Sequence, residues 1–235
     1  MLKKAMILAA GFGKRILPLT KDKPKPLLKI GKETLLSNTL NFLQDFGVNK
    51  VVINVHYLGG HIIDYINKRK FNLSIEIVNE NEKILDTGGG ILNAIKYFSE
   101  ESFLAINPDT IWSSNYLKEL KSMEKIFLKN KNNKCFLLVV NKNKSFDKSF
   151  KGDFNLKENL LNREDMNNLN YLYTGLQIIN PKIFFDVDMK VFSINKIWDK
   201  LIANKELYGK ESSEEFFHVS TLKIYKDLIK KKFKY

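Results

Sequence analysis

One cysteine, Cys135, is present in 235 residues. A lone thiol excludes an internal disulfide framework and fits a reducing compartment. It lies in the apolar run Cys135-Phe136-Leu137-Leu138-Val139-Val140. Apolar surroundings disfavour thiolate, so it reads as a core residue and not a nucleophile. Of three histidines, His56 and His61 lack metal-ligand spacing and read as a strand-end and a helix-surface residue. No apolar run reaches the roughly 18 residues of a membrane span. The start, Met1-Leu2-Lys3-Lys4 and then apolar residues, faintly imitates a secretory leader. Its apolar stretch ends at Gly11, with charge at Lys14 and Arg15, which is too short. A cytoplasmic protein without membrane association is expected. Acidic residues number 26 against 39 lysines and arginines, for a net charge of +13. The lysines are scattered, and Lys230-Lys231-Lys232 is a short run. No zinc spacing, RNA-recognition signature or helix-turn-helix pattern accompanies them, so nucleic acid is not the expected partner. The charge suits polyanionic small substrates such as nucleotides.

Hydrophobic residues make up 44% and aromatics 12%, a globular composition with enough apolar mass for a full core. Strand-like and helix-like segments alternate. Residues 4–9, 50–55, 73–78, 103–106, 134–140 and 171–179 read as strands. Leu36, Leu40, Leu43 and Phe46 mark one helix face that stops at Gly47. Further helices are expected over 60–70, 89–98, 116–128, 193–205 and 221–233. The polar stretch 141–170 is expected to carry a hairpin around Gly152-Asp153-Phe154 or a flexible loop. Short connections between alternating elements imply right-handed βαβ units. The expected fold is therefore α/β: one Rossmann-like, three-layer α/β/α domain over 1–235 with a mostly parallel mixed central sheet. The domain divides into one half over 1–112 and another over 113–235 that ends in the C-terminal helix. Ligands in such sheets bind beyond the carboxyl ends of the strands.

Four motifs fall at such ends. The first strand breaks into Leu8-Ala9-Ala10-Gly11-Phe12-Gly13-Lys14-Arg15. Gly11 and Gly13 let backbone N–H groups approach anionic oxygens, although a plain structural turn fits as well. Lys25 lies between Pro24 and Pro26, whose rings stiffen its backbone and suit a lysine aimed at a ligand. Asp86-Thr87-Gly88-Gly89-Gly90 closes a strand and opens a helix, where close approach of a flat ligand and a flexible turn are both open readings. Ile106-Asn107-Pro108-Asp109 ends an apolar strand with one carboxylate, a candidate Mg²⁺ ligand or helix cap. The fourth motif, Phe217-His218-Val219-Ser220-Thr221-Leu222, precedes the last helix.

The set Leu8-Ala9-Ala10-Gly11-x-Gly13-x-Arg15, Pro18-Leu19-Thr20 and Pro24-Lys25-Pro26-Leu27 resembles the signature of sugar-1-phosphate nucleotidylyltransferases. The resemblance implies that Leu8, Ala9, Ala10, Gly11 and Gly13 wrap a nucleoside triphosphate. It also implies that Arg15 and Lys25 neutralise phosphate charge at the reacting centre. It places Glu80 and Gly88 near the nucleotide base, and Asn107, Asp153 and Gly175 on the sugar-phosphate side. It makes Asp109 a catalytic Mg²⁺ ligand and puts His218 at the second metal position. There the chain departs from the family pattern Trp-x-Asp-Val-Gly-Thr: His218 replaces the aspartate and Ser220 the glycine. Pro108 likewise replaces a glycine before Asp109. A neutral imidazole is a poorer magnesium ligand than carboxylate. Weak metal binding, a phosphate contact as imidazolium, action through water and reduced activity all stay open for His218.

With Gly152-Asp153-Phe154 and Tyr173-Thr174-Gly175-Leu176, the chain most resembles N-acetylmuramate-1-phosphate uridylyltransferases of cell-wall recycling. UTP and N-acetylmuramate 1-phosphate are the expected substrates, and a monomer or homodimer is the expected assembly. Mannose 1-phosphate with GTP, phosphocholine with CTP, and a non-catalytic sensor of nucleotide sugars are the alternatives.

Overall fold

A computed structural model describes residues 1–80, 83–130 and 133–231. The strands are β1 (Lys4–Leu8), β2 (Lys29–Ile30), β3 (Glu33–Thr34), β4 (Lys50–Val55), β5 (Ser74–Asn79), β6 (Phe103–Ile106), β7 (Cys135–Asn141), β8 (Asn155–Lys157), β9 (Leu160–Asn162), β10 (Tyr171–Ile179) and β11 (Leu207–Glu211). The helices are α1 (Leu35–Phe46), α2 (Gly59–Lys68), α3 (Asp86–Ala94), α4 (Tyr116–Lys129), α5 (Asn195–Ala203) and α6 (Leu222–Leu228). Helix α1 shows how local chemistry sets an element. Thr34 accepts from the Ser37 N–H, Ser37 returns the bond, and Gly47 ends the helix at φ +101°.

Nine strands form one sheet in the order β5-β4-β1-β6-β10-β7-β11-β9-β8. The unit β5-β4-β1-β6 is parallel. Strand β10 runs against both its neighbours, and β9 against both of its own. The remaining strands share one direction, so the sheet is mixed and mostly parallel, as expected. Period-2 alternation divides the core between its faces. Ala5, Ile7, Val51 and Ile53 face Leu36, Leu40, Leu120 and Met123 of α1 and α4. Met6 and Val52 face Ile91, Trp198 and Leu201 of α3 and α5. Each fully buried leucine among these stabilises the fold by roughly 1.5–3 kcal/mol. A third cluster joins Ile16, Leu28 and Leu35 to Val219 and Leu228, so the C-terminal segment clasps the loop that follows β1.

Several boundaries differ from expectation. Helix α3 starts at Asp86 and tightens into a 3-10 turn at Ile95–Phe98. The 141–170 stretch holds a hairpin, but it turns at Glu158 and Asn159, with φ +51° and +65°, and not at Gly152–Phe154. Strand β11 was not foreseen, because Leu207-Tyr208-Gly209-Lys210-Glu211 mixes glycine and charge. Parallel pairing to β7 secures it. Helix α6 ends at Leu228, short of the helix expected over 221–233, of which 232 and 233 lie outside the described residues. Cys135 is buried, and burial pushes its thiol up. No helix among the described residues is long and apolar enough to cross a membrane.

Candidate active site

A cavity of about 430 Å³ opens at the carboxyl end of β1. Leu8, Ala9, Ala10, Gly11 and Gly13 form one wall, with Arg15 and Lys25 beside them. Ile84, Asp86 and Thr87 form the opposite wall, and Asn107 and Asp109 close the inner end. The two glycines of the loop differ. Gly13 has φ +65°, and a Cβ there would meet Thr20 Cγ2 at 3.0 Å and Lys25 Cβ at 3.2 Å. Thr20 Oγ1 also donates to the Gly13 carbonyl at 2.9 Å. Gly13 thus seats the loop against Lys25. Around a Gly11 Cβ there is nothing within 4 Å, so the fold does not demand glycine there.

Lys25 begins a 3-10 turn after extended Pro24 (φ −64°, ψ 143°), with Pro26 as its second residue. That turn delivers Lys25 Nζ to Asp109 Oδ2 at 2.5 Å. His218 Nε2 meets the same oxygen at 3.1 Å. Residues 217–219 reach this place by antiparallel bridging to 109–111, with Val219 N–H donating to the Asp109 carbonyl at 2.8 Å. Burial works to raise the Asp109 carboxyl, but attraction to His218 and Lys25, with their hydrogen bonds, holds it well below the usual carboxylate range. Asp109 Oδ1 and His218 Nδ1 are buried with no hydrogen-bond partner.

A second cavity of about 100 Å³ adjoins the first through Asn107. It gathers Asp153, Gly175 and His218 among the aromatic rings of Phe150, Tyr173 and Phe216. Gly175 has φ +91° and lies so close to Asn107 that a Cβ would meet Asn107 Cβ at 2.9 Å. Asp153 Oδ2 accepts the Tyr173 N–H at 2.8 Å, and Phe216 stacks on His218 with centroids 5.7 Å apart.

Two expected nucleotide contacts line neither cavity. Glu80 is buried beneath the loop, where Oε1 accepts from Asn54 Nδ2 at 2.7 Å and Oε2 from the Leu85 N–H at 2.8 Å. Gly88 packs on the chain itself: a Cβ there would meet the Phe192 ring at 2.4 Å. A Gly89 Cβ would meet the Lys190 carbonyl at 2.2 Å. The glycine run admits the 190–192 segment, not a flat ligand, and the Phe192 carbonyl accepts from the N–H groups of Gly88 and Gly89. Asn54 escaped sequence reasoning. Its signal was a lone polar residue inside the apolar strand Val51-Val52-Ile53-Asn54-Val55.

The family model described as nucleotidyl transferase matches residues 4–147, which carry the loop, Lys25 and Asp109. The chain belongs to the nucleotidyl transferase family. It is 29% identical over 222 residues to an N-acetylmuramate alpha-1-phosphate uridylyltransferase of Caulobacter vibrioides, covering 92% of this chain and 91% of that one. A Neisseria meningitidis protein of the same name is 31% identical over 187 residues, 79% of this chain and 78% of that one. Mannose-1-phosphate guanylyltransferase catalytic subunit beta of Dictyostelium discoideum is 28% identical over 214 residues, 87% of this chain and 57% of that one. In fold, the chain matches a UDP-glucose pyrophosphorylase complexed with UDP-glucose at a TM-score of 0.77 and 19% identity, over 98% of both chains. The nucleotidyl transferase fold thus places the glycine loop, Arg15, Lys25 and Asp109 around one cavity.

Proposed function

We propose that the protein joins UTP and N-acetylmuramate 1-phosphate into a nucleotide sugar, releasing pyrophosphate. The observation that carries the reaction class is the convergence of the glycine loop, Arg15, Lys25 and Asp109 on one cavity, with Asn107 shared by a second. The names of the Caulobacter and Neisseria relatives support the choice of sugar and base.

An oxygen of the sugar 1-phosphate attacks the α-phosphorus of the triphosphate in line, and the bond to the pyrophosphate oxygen breaks. A phosphate monoester is already a competent nucleophile, so neither a general base nor a covalent enzyme intermediate is needed. The chain supplies positioning and charge. Backbone N–H groups of 10–13 cradle the triphosphate. Arg15, exposed on the cavity wall, holds its outer oxygens. Lys25 stabilises charge developing between the two substrates. Asn107, Asp153 and Gly175 line the sugar side.

The donor set fits magnesium in one respect. Asp109 Oδ1 is buried without a hydrogen-bond partner, and magnesium is ordinarily held by one or two carboxylates with substrate phosphates. Asp109 would hold it, and bound magnesium would supply charge compensation at the phosphates. His218 does not fit as a second ligand through Nε2, because Asp109 Oδ2 already engages that atom. Among the described residues no group of three or more His, Cys, Asp or Glu could form an all-protein metal site.

Pyrophosphate release with four nucleoside triphosphates and a panel of sugar 1-phosphates tests the proposal. Release is expected with UTP and N-acetylmuramate 1-phosphate. Preference for GTP with mannose 1-phosphate would favour the second reading, which the Dictyostelium relative supports. Nucleotide binding without release from any pair would overturn both.

A further inference from the structure

We infer that Asn54 and Glu80 are positioning residues that set the spacing between the two walls of the nucleotide cavity. The inference rests on the nucleotide-binding reading of that cavity. Asn54 Oδ1 accepts the Ala9 N–H at 2.9 Å, and Asn54 Nδ2 donates to Glu80 Oε1 at 2.7 Å. Glu80 Oε2 accepts the Leu85 N–H at 2.8 Å. Ala9 lies on the loop wall, and Leu85 sits between Ile84 and Asp86 of the opposite wall. One bridge of two side chains thus ties both walls together, with Asn54 itself in the cavity lining and Glu80 outside it.

The polarity of this bridge is forced. Each end is a backbone N–H, which only donates. Asn54 must therefore turn its oxygen to Ala9 and its NH2 to residue 80. Residue 80 then faces two donors, and only a carboxylate has an acceptor for each. Asn54 and Glu80 are 3% and 4% exposed, so water does not substitute for a lost partner. The geometry also explains the third glycine of the run. A Cβ on Gly90 would meet Asn54 Nδ2 at 2.7 Å and Glu80 Oε1 at 2.9 Å, so glycine makes room for the bridge.

Forced polarity yields a swap test. In Glu80→Gln the new NH2 faces a donor. In Asn54→Asp two carboxylates face each other. The double variant combines Asn54→Asp with Glu80→Gln. Its carboxylate, now at position 54, accepts from the Ala9 N–H and from the amide NH2 now at position 80. The oxygen of that amide accepts from the Leu85 N–H. Every donor is again satisfied and the net charge is that of the wild type. UTP binding is measured by calorimetry, and KM for each substrate and kcat by pyrophosphate release. Each single variant is expected to bind UTP about tenfold more weakly or worse, with KM for the sugar phosphate unchanged. The double variant is expected to return to within about threefold of wild type. A merely structural role would lower the active fraction and leave both KM values alone, and that pattern overturns the inference. So do single variants that bind UTP like wild type, and a double variant as weak as the singles or unable to fold. Should a single variant not fold, the double variant decides alone. A wild-type protein that binds none of UTP, GTP, CTP and ATP would overturn the nucleotide reading as well, which separates the two failures.

Discussion

His218 Nε2 and Lys25 Nζ converge on a single atom, Asp109 Oδ2, at 3.1 and 2.5 Å. The other carboxylate oxygen, Oδ1, is buried and unpartnered. The carboxylate is thus anchored through one oxygen and unpartnered through the other. Both anchors come from distant parts of the chain: a proline-stiffened turn supplies Lys25, and the segment before α6 supplies His218.

Lys25→Ala and Asp109→Ala are each expected to lower turnover by about 10²–10³-fold, the usual loss when one electrostatic contact to a reacting centre is removed. Pyrophosphate release at saturating substrate measures it. Near-normal turnover in either variant would sink the proposed roles.

His218→Asp should separate charge from shape at the anchor. A second carboxylate beside Asp109 repels it, so the melting temperature without divalent cations should fall below that of wild type. Added Mg²⁺ should then raise the melting temperature of the variant more than that of wild type. Equal responses would show that position 218 does not bear on metal binding.

Gly88→Ala and Gly11→Ala should part company. At Gly88 a methyl meets the Phe192 ring at 2.4 Å, and overpacking of this kind costs about 1–3 kcal/mol. The urea midpoint of Gly88→Ala should drop accordingly. Around Gly11 there is nothing within 4 Å, so its midpoint should hold while UTP affinity falls, because Gly11 lines the cavity proposed to take the nucleotide. A destabilised Gly11→Ala protein with intact affinity would contradict this division.

Acid stability should depend on Glu33. Burial opposes ionisation of its carboxyl, but hydrogen bonds from Arg69 and Ser37 and attraction to Arg69 hold it below its ordinary value. Its folded pKa is thus lower than its unfolded one. The contribution is present above the unfolded value of about 4.3 and is lost as pH falls through the folded value. The melting-temperature gap between wild type and Glu33→Gln should be open at neutral pH and narrow below about pH 4. A gap independent of pH would mean that ionised Glu33 contributes nothing. The Arg69 partner is partly exposed, so the gap should be modest and shrink with salt.

Strand β1, helix α1 and the glycine loop were legible because their signals are local: a short apolar run, a Gly47 stop, and prolines around Lys25. Strand β11 was not, since Gly209 and Lys210 carry no strand pattern and pairing with β7 and β9 orders them. Within the site, Gly13, Lys25 and Asp109 stand where the motifs pointed. Glu80 and Gly88 do not, because a carboxylate or a glycine near a cleft reads the same in sequence whether it faces ligand or protein.

By itself the sequence determined the α/β class, the glycine loop after the first strand and the family, since strand burial, turn stereochemistry and motif spacing are properties of short segments. Tertiary structure alone decided which polar groups face the cavity and which brace it. Asn54 meets Glu80, and Asp109 meets Lys25 and His218, only after the sheet and the C-terminal segment have packed. Whether a buried donor finds its acceptor depends on that packing, and no local pattern along the chain encodes it.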